Sequence, residues 1–427
     1  MKRDLADLSD IVIIGAGPAG LIAAEKLAEA GHGVAIYERM PSPARKFLMA
    51  GRGGLNLTHG EDLDRFLARY GPARSVLEST LRAFAPSDLV AWAEGLGEKT
   101  FVGSSGRIFP ESFKASPLLR SWLARLAHLG VTLHTRHCWT GWDDDGSLVF
   151  LDPDGTPLHR KADATLLALG GASWPRLGSD GGWAPLLRER DIAVTEFAAA
   201  NSGVEIAWSR AFTEKSAGEP LKRIAVSIAD TTRRGEAVIT EQGLEGGVIY
   251  ALSPFVRTAI AKQGHAEIGI DLRPDLDEAA LARLLDRPQG SQSLSTYLRK
   301  AAKLAPPAIG LLREATNNAL PRDPATLARL IKHVPLQVTA QRGLERAIST
   351  AGGIALGEVD THLMLRKAPG VFVAGEMLDW EAPTGGYLLQ ACFATGVAAA
   401  KGIEVWLSKD LSGQDVRGPS YTARKMV

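Results

Sequence analysis

Residues 11–38, IVIIGAGPAGLIAAEKLAEAGHGVAIYE, constrain the fold more than any other stretch of the chain. Residues 11–14 form a fully apolar, β-branched run, the composition of a strand buried on both faces of a parallel sheet. Gly15, Gly17 and Gly20 follow in G-x-G-x-x-G spacing, with Pro18 and Ala19 between them, and lead into 21–29, whose apolar positions recur with helical period. In such a unit Gly15 permits the tight turn, Gly17 lets a pyrophosphate approach the backbone, and Gly20 lets the helix pack on the strand. The free N–H groups of the helix start then face the phosphates. Gly31 is placed to stop the helix, and 34–37 reads as the second strand. Glu38 closes that strand roughly twenty residues beyond the first glycine, with Arg39 beside it. A carboxylate there accepts hydrogen bonds from ribose hydroxyls and repels a 2′-phosphate. With 45 glycines a chance match to the spacing is easy to find, but here strand, turn, helix, second strand and acid agree. The stretch therefore reads as a dinucleotide site. It does not separate FAD from NAD, because both carry the same ADP half.

At 427 residues there is room for two or three domains. Lys and Arg number 49 against 48 Asp and Glu, a net charge of +1, so no global field draws the chain to nucleic acid or anionic lipid. The segment before the first strand mixes acidic and basic residues, unlike a signal peptide. The most apolar early run is too short to span a bilayer and is broken by glycines and Pro18. Cys138 and Cys392, the two cysteines, form no dithiol motif. These readings point to a cytoplasmic protein in a reducing compartment, without a membrane partner.

Within residues 44–59, ARKFLMAGRGGLNLTH, the run 51–54 with Gly51, Gly53 and Gly54 reads as a backbone loop able to approach a ligand, with Arg45, Lys46 and Arg52 placing positive charge near it. Residues 101–115 read as a turn-rich polar and aromatic cluster containing Arg107, the kind of loop that borders a pocket. A helix over 117–129 and a strand over 131–135 follow, and position makes His137 and Cys138 candidates for backbone contact with an adenine ring. Residues 139–160 read as a meander turning at 143–146 and 152–155. A further buried strand at 164–169 ends in Gly170-Gly171, again suited to close approach, and 172–183 reads as a loop over the site.

From about 192 the composition changes to short strand candidates at 204–206, 224–228, 237–239, 248–249 and 266–270, as in an antiparallel barrel or sandwich. Helical patterns follow at 277–285, 294–304 and 325–332. Residues 369–376, PGVFVAGE, are a turn and buried strand ending in Gly375-Glu376. Thr384-Gly385-Gly386-Tyr387 then leads into an apolar helix at 388–402 that carries Gln390. A strand ending in glycine and acid, followed by a turn into a helix, can hold a second phosphate-sugar half, for which NAD alone has no use.

These residues together resemble the BaiN/RdsA-type NAD(P)/FAD-dependent oxidoreductases, glutathione-reductase-like flavoproteins with an inserted domain. The resemblance rests on GAGPAG at 15–20, the glycine-rich segment from Lys46 to Thr58, GRIFP at 106–110, GG at 170–171, and PGVFVAGEMLDWEAPTGGYLLQACFATG at 369–396. It implies a Rossmann-like α/β FAD-binding domain, 1–191 and 346–427, interrupted by an inserted β-barrel plus helical domain at 192–345. It also puts Lys46 and Asn56 near the flavin end, and Glu376, Gly386, Tyr387 and Gln390 along the ribityl chain and ring. The loop departs from relatives, which usually show serine, three glycines and Arg-Cys-Asn, where this chain has Ala50-Gly51-Arg52-Gly53-Gly54-Leu55-Asn56. The missing cysteine removes thiol chemistry from that position and marks a divergent subfamily.

The leading expectation is an FAD-dependent oxidoreductase using NAD(P)H as a transient reductant toward a small-molecule substrate, with Lys46, Arg52 and Arg107 as catalytic candidates and no nucleic-acid partner. No Ser-His-Asp set, zinc spacing or second G-x-G-x-x-G is visible, so no metal is expected. The alternatives are a flavin-containing RNA-modifying or RNA-binding protein and a flavin redox sensor without turnover.

Overall fold

The computed structural model describes residues 10–411, so the segment read as unlike a signal peptide lies outside them. Strand β1 (Asp10–Ile14) holds Ile11 to Ile14 at no more than 2% exposure, as an apolar β-branched run requires. Helix α1 (Pro18–Glu29) starts with proline at its first turn and ends where Gly31 takes φ 90, the left-handed conformation that glycine adopts without strain. Strand β2 (Gly33–Glu38) then lies parallel to β1, with Ile13 opposite Ile36. Helix α2 (Arg45–Ala50) comes next, directly ahead of the glycine loop at 51–54, and sequence reading had not marked it. Its register was hidden because the run is only six residues long.

Helix α3 (Ala115–His128) leads to β3 (Thr132–Thr135), and β4 (Ala164–Leu167) and β5 (Val371–Val373) complete a five-stranded parallel sheet in the order β5-β4-β1-β2-β3. The order reverses at β1, so the crevice beyond the carboxyl ends of β1 and β4 is where such a sheet accepts a ligand. Helix α4 (Tyr387–Leu411) packs along α1. A Cβ on Gly396 would stand 2.4 Å from the Ala19 carbonyl, which explains the small residues on that face. Its part Tyr387–Ser408 is long and apolar enough to cross a membrane, yet more than half of it is buried inside the protein.

The meander at 139–160 forms as read, from Cys138–Trp142, Leu148–Leu151 and Pro157–Arg160. Asp143 and Asp152 tie its two turns by accepting from the N–H groups of Ser147 and Thr156. Residues 101–115 are more ordered than a loop. Thr100–Val102 and Arg107–Pro110 pair as a hairpin, and Thr58–His59 adds a third strand.

The chain divides into two compact units, one comprising Met1–Ala198 with Thr350–Val427 and the other Ala199–Ser349; the breaks expected from composition lay at 191/192 and 345/346. The second unit has its own core, including Val226, Ile239, Leu298, Leu312 and Ile331. Its seven-stranded sheet is antiparallel throughout, with Val334–Val338 and Ala340–Gln341 at the two edges. Thr339 alone separates those edge strands, so the sheet curls toward itself. No ladder among the described residues closes it into a barrel, and Pro335 on one edge lacks the N–H such a ladder would use. Val248 and Ile249, read as strand, lie instead in the short helix Gly247–Tyr250, where two apolar residues after a glycine pair carried no usable period.

Candidate functional site

The three glycines of the first turn differ in what surrounds them. A Cβ on Gly15, which has φ 105, would stand 2.4 Å from the Ala168 carbonyl at the end of β4. On Gly20 it would stand 2.1 Å from the Gly15 carbonyl. Both contacts are with backbone, so these two positions are fixed by packing. Gly17 has nothing within 4 Å and caps α1 without any side-chain cap. The space over Gly17, at the positive end of α1, is what a pyrophosphate needs. Pro18 and Ala19 form the first turn of the helix, and Gly375 at the end of β5 closes on it, since its Cβ would lie 3.0 Å from that of Ala19.

At the end of β2, Glu38 holds the turn. Its Oε2 accepts from Ala16 N at 2.9 Å and its Oε1 from Met40 N at 2.8 Å. Each oxygen keeps a lone pair, so the carboxylate is oriented and still able to accept from a ribose. The Glu38 carbonyl accepts from His137 N at 3.0 Å, which brings residues 137–138 beside the ribose-binding strand end. The His137 ring, however, packs edge-on against Tyr37, and Cys138 begins a strand. Arg39 pairs with Asp180 at 2.6 Å. Gly170 and Gly171 follow β4, and a Cβ on Gly171 would stand 2.5 Å from Thr350 Oγ1, which accepts from Ala172 N and Ser173 N.

The second region joins pieces that are remote in sequence. Lys46 Nζ, on α2, lies 2.7 Å from Glu376 Oε2 and donates to Ser173 Oγ at 2.8 Å, with Ser179 Oγ at 3.5 Å. Glu376 Oε1 accepts from Thr350 N at 3.0 Å. Gly53 has nothing within 4 Å, and Asn56 Oδ1 is a buried acceptor that the protein leaves without a donor. Arg52 is exposed, and neither it nor Arg107 makes a side-chain hydrogen bond or ion pair among the described residues. The loop through Gly385 and Gly386 lies against the Thr58 strand, where a Cβ on Gly386 would meet Thr58 Cα at 2.4 Å, and Gly385 lies beside Arg107. The open positions at Gly17 and Gly53, the oriented acid and the cations together fit an elongated dinucleotide.

Two residues expected along the ribityl chain and ring have side chains tied within the protein. Gln390 is fully buried, with Oε1 accepting from Thr58 Oγ1 at 2.8 Å and Nε2 donating to the Phe84 carbonyl at 2.7 Å, so its amide ties helix to strand. Tyr387 is 4% exposed and donates its hydroxyl to Glu61 Oε1 at 2.5 Å, while its ring stacks on His59. Burial, and then the Glu61 carboxylate, push the Tyr387 phenol well above its usual range. Arg69, hydrogen-bonded to Glu61, holds that carboxyl below the ordinary value. Burial, followed by the neighbouring Glu376 charge, pushes the Cys392 thiol up to about 12, leaving it inert. Sequence reading missed Ser173, Ser179, Thr350 and Glu61; only the loop containing the two serines had been marked as lying over the site. Among the described residues no group of three or more His, Cys, Asp or Glu is placed to hold a metal.

This sheet, its reversal point and its two-part cradle define a Rossmann-type fold with a site shaped for a dinucleotide. The chain belongs to the HI0933-like protein Rossmann domain family, which matches residues 9–402. It is 25% identical over 421 residues, 92% of this chain and 98% of the relative, to a 3-dehydro-bile acid delta(4,6)-reductase from Clostridium scindens. It is 23% identical, over 92% of this chain and 97% of the relative, to a ribosomal RNA dihydrouridine synthase from Escherichia coli. The fold is also that of a 3-ketosteroid-delta4-(5alpha)-dehydrogenase from Rhodococcus jostii, with a TM-score of 0.50 at 15% identity over 94% of this chain and 97% of that one.

Proposed function

We propose that this protein is an FAD-dependent oxidoreductase moving a hydride between a transient NADH or NADPH and a small-molecule substrate. The observation that carries the reading is the meeting of Lys46 and Glu376 with Ser173, on the same unit as the glycine turn. A lone ADP half has no use for this second anchor. When bound, FAD supplies the two-electron chemistry. The protein's part is to hold and orient it. The Gly17 turn and the start of α1 take the pyrophosphate, Glu38 the ribose, and Lys46, Asn56 and Glu376 the ribityl and ring end. Arg52 and Arg107 would add positive charge at that end of the site. The bile acid reductase relative supports the class, and a cytoplasmic protein without a membrane or nucleic-acid partner is part of what we propose.

The test is the visible spectrum of purified protein, followed by anaerobic titration with NADH and NADPH. Bound flavin that bleaches on titration is expected. Folded protein that is colourless and refuses added FAD overturns the reading, and flavin that neither nucleotide reduces removes the nicotinamide donor.

An RNA substrate is the second reading. It is favoured by the ribosomal RNA dihydrouridine synthase relatives and by a cleft of about 660 Å³ in the second unit, whose lining includes Lys222, Arg223, Arg273 and Lys303 against the two acids Glu219 and Asp275. A gel shift with ribosomal RNA that weakens as salt rises would bring it forward.

A further inference from the structure

We propose that Phe101, Phe109 and Phe113, with Arg107 at their edge, are the substrate platform, and that the substrate is a flat, largely apolar molecule carrying a carboxylate or carbonyl oxygen. The inference rests on the redox reading above. Phe101 and Phe109 stand directly opposite each other across the hairpin, with ring centroids 5.8 Å apart and planes 25° apart. Phe113 lies 5.1 Å from the first and 5.6 Å from the second.

Phenyl rings gathered this way normally close a core. Here Phe113 remains 49% exposed. Phe113 also takes φ 57, an uncommon and strained conformation for a bulky residue. The conformation is locked by the glycine turn itself, because the Phe113 carbonyl accepts from Leu55 N at 2.9 Å. Gly54 lies under the rings: a Cβ there would stand 3.3 Å from Phe113 and 3.8 Å from Phe109. The exposed aromatic face is therefore built onto the turn assigned to the flavin end.

Arg107 gives the face its polarity. It is two residues before Phe109 on the same strand and so shares its side of the hairpin. Its guanidinium makes no hydrogen bond or ion pair among the described residues. Gly385 approaches it from the second cofactor segment, its Cβ position 3.8 Å from Arg107 Nε. An unpaired planar fork beside an apolar face suits a flat molecule with an oxygen at its rim.

The test uses the full chain loaded with FAD and titrated with 2-naphthoate, methyl 2-naphthyl ketone and 2-methylnaphthalene, read by naphthalene fluorescence and flavin absorbance. Wild type is expected to prefer the first two over the hydrocarbon. R107M should weaken the two oxygenated probes by roughly tenfold and leave the hydrocarbon unchanged, with R107K between them. F109A and F113A should weaken all three. Equal binding of all probes by wild type, or unchanged binding in R107M or the phenylalanine variants, overturns the inference. Flavin content comes from the same spectra. Full content without probe binding removes the platform alone, whereas absent flavin removes the redox reading, and the fluorescence arm still reports on the platform.

Discussion

Lys46 and Glu376 are 330 residues apart in sequence and 2.7 Å apart in space. Their side chains retain 25% and 13% exposure, so each is largely withdrawn from water and dependent on the other. Removing one partner strands the second. K46M and E376Q are each expected to cost about 1–3 kcal/mol, less than for a fully buried pair because water still reaches both. In a double-mutant cycle the two changes should couple by about 1 kcal/mol or more. Urea denaturation of the four proteins checks this, and additive losses would mean the two groups are neighbours without mutual dependence. Both single variants should also retain less FAD.

The three glycines of the first turn separate folding from binding. G20A forces a methyl to within 2.1 Å of the Gly15 carbonyl, so loss of several kcal/mol or failure to fold is expected. Gly17 has φ −83 and open space around it, so alanine fits the backbone there. G17A should keep the wild-type melting temperature and lose bound FAD, because the added methyl occupies the space assigned to the pyrophosphate. Thermal melts read beside flavin absorbance decide the matter. G17A that melts early would show Gly17 to be structural.

The unit from β1 to Glu38 was legible because it carries every local signal at once: a β-branched run, a glycine turn, a helical period and a terminal acid. The meander was legible from its aspartate turns. What escaped was written in partners distant along the chain. Strands of two to four residues at Thr58–His59, Thr100–Val102 and Arg107–Pro110 become a sheet only by pairing with one another. Gln390 reads as a ligand residue by motif, and only Thr58 and Phe84 reveal it as an internal tie. Lys46 and Glu376 were each marked, but nothing in the sequence says that they face each other.

Glu25 is completely buried in α1 and is satisfied from two helices, by Arg125 Nη1 at 2.9 Å and by Trp92 Nε1 at 3.1 Å. R125L leaves a carboxylate with one neutral donor in an apolar surround, at an expected cost of about 3–5 kcal/mol. Replacing both groups, as in the E25L/R125L protein, removes the unpaired charge and should be milder than R125L alone. Chemical denaturation distinguishes the cases. A double variant worse than the single one would show that the pair contributes more than it costs to desolvate.

Tyr387, Glu61 and Arg69 give stability an acid limb and an alkaline limb. The folded Glu61 carboxyl titrates below its ordinary range because Arg69 donates to it, so the tie is complete above that range and is lost as pH falls through the folded value. Tyr387 has the opposite sign. Burial and the Glu61 carboxylate raise its phenol, so its contribution is whole below the usual phenol range and is lost as pH rises through the folded value. The stability difference between wild type and E61Q should therefore be largest near neutrality and shrink toward acid. That between wild type and Y387F, about 1 kcal/mol near neutrality, should persist up to the usual phenol range and narrow steadily as pH rises beyond it. Urea midpoints across pH measure both. An E61Q difference that grows toward acid would mean the carboxylate is destabilised in the fold, against the geometry of its bond to Arg69.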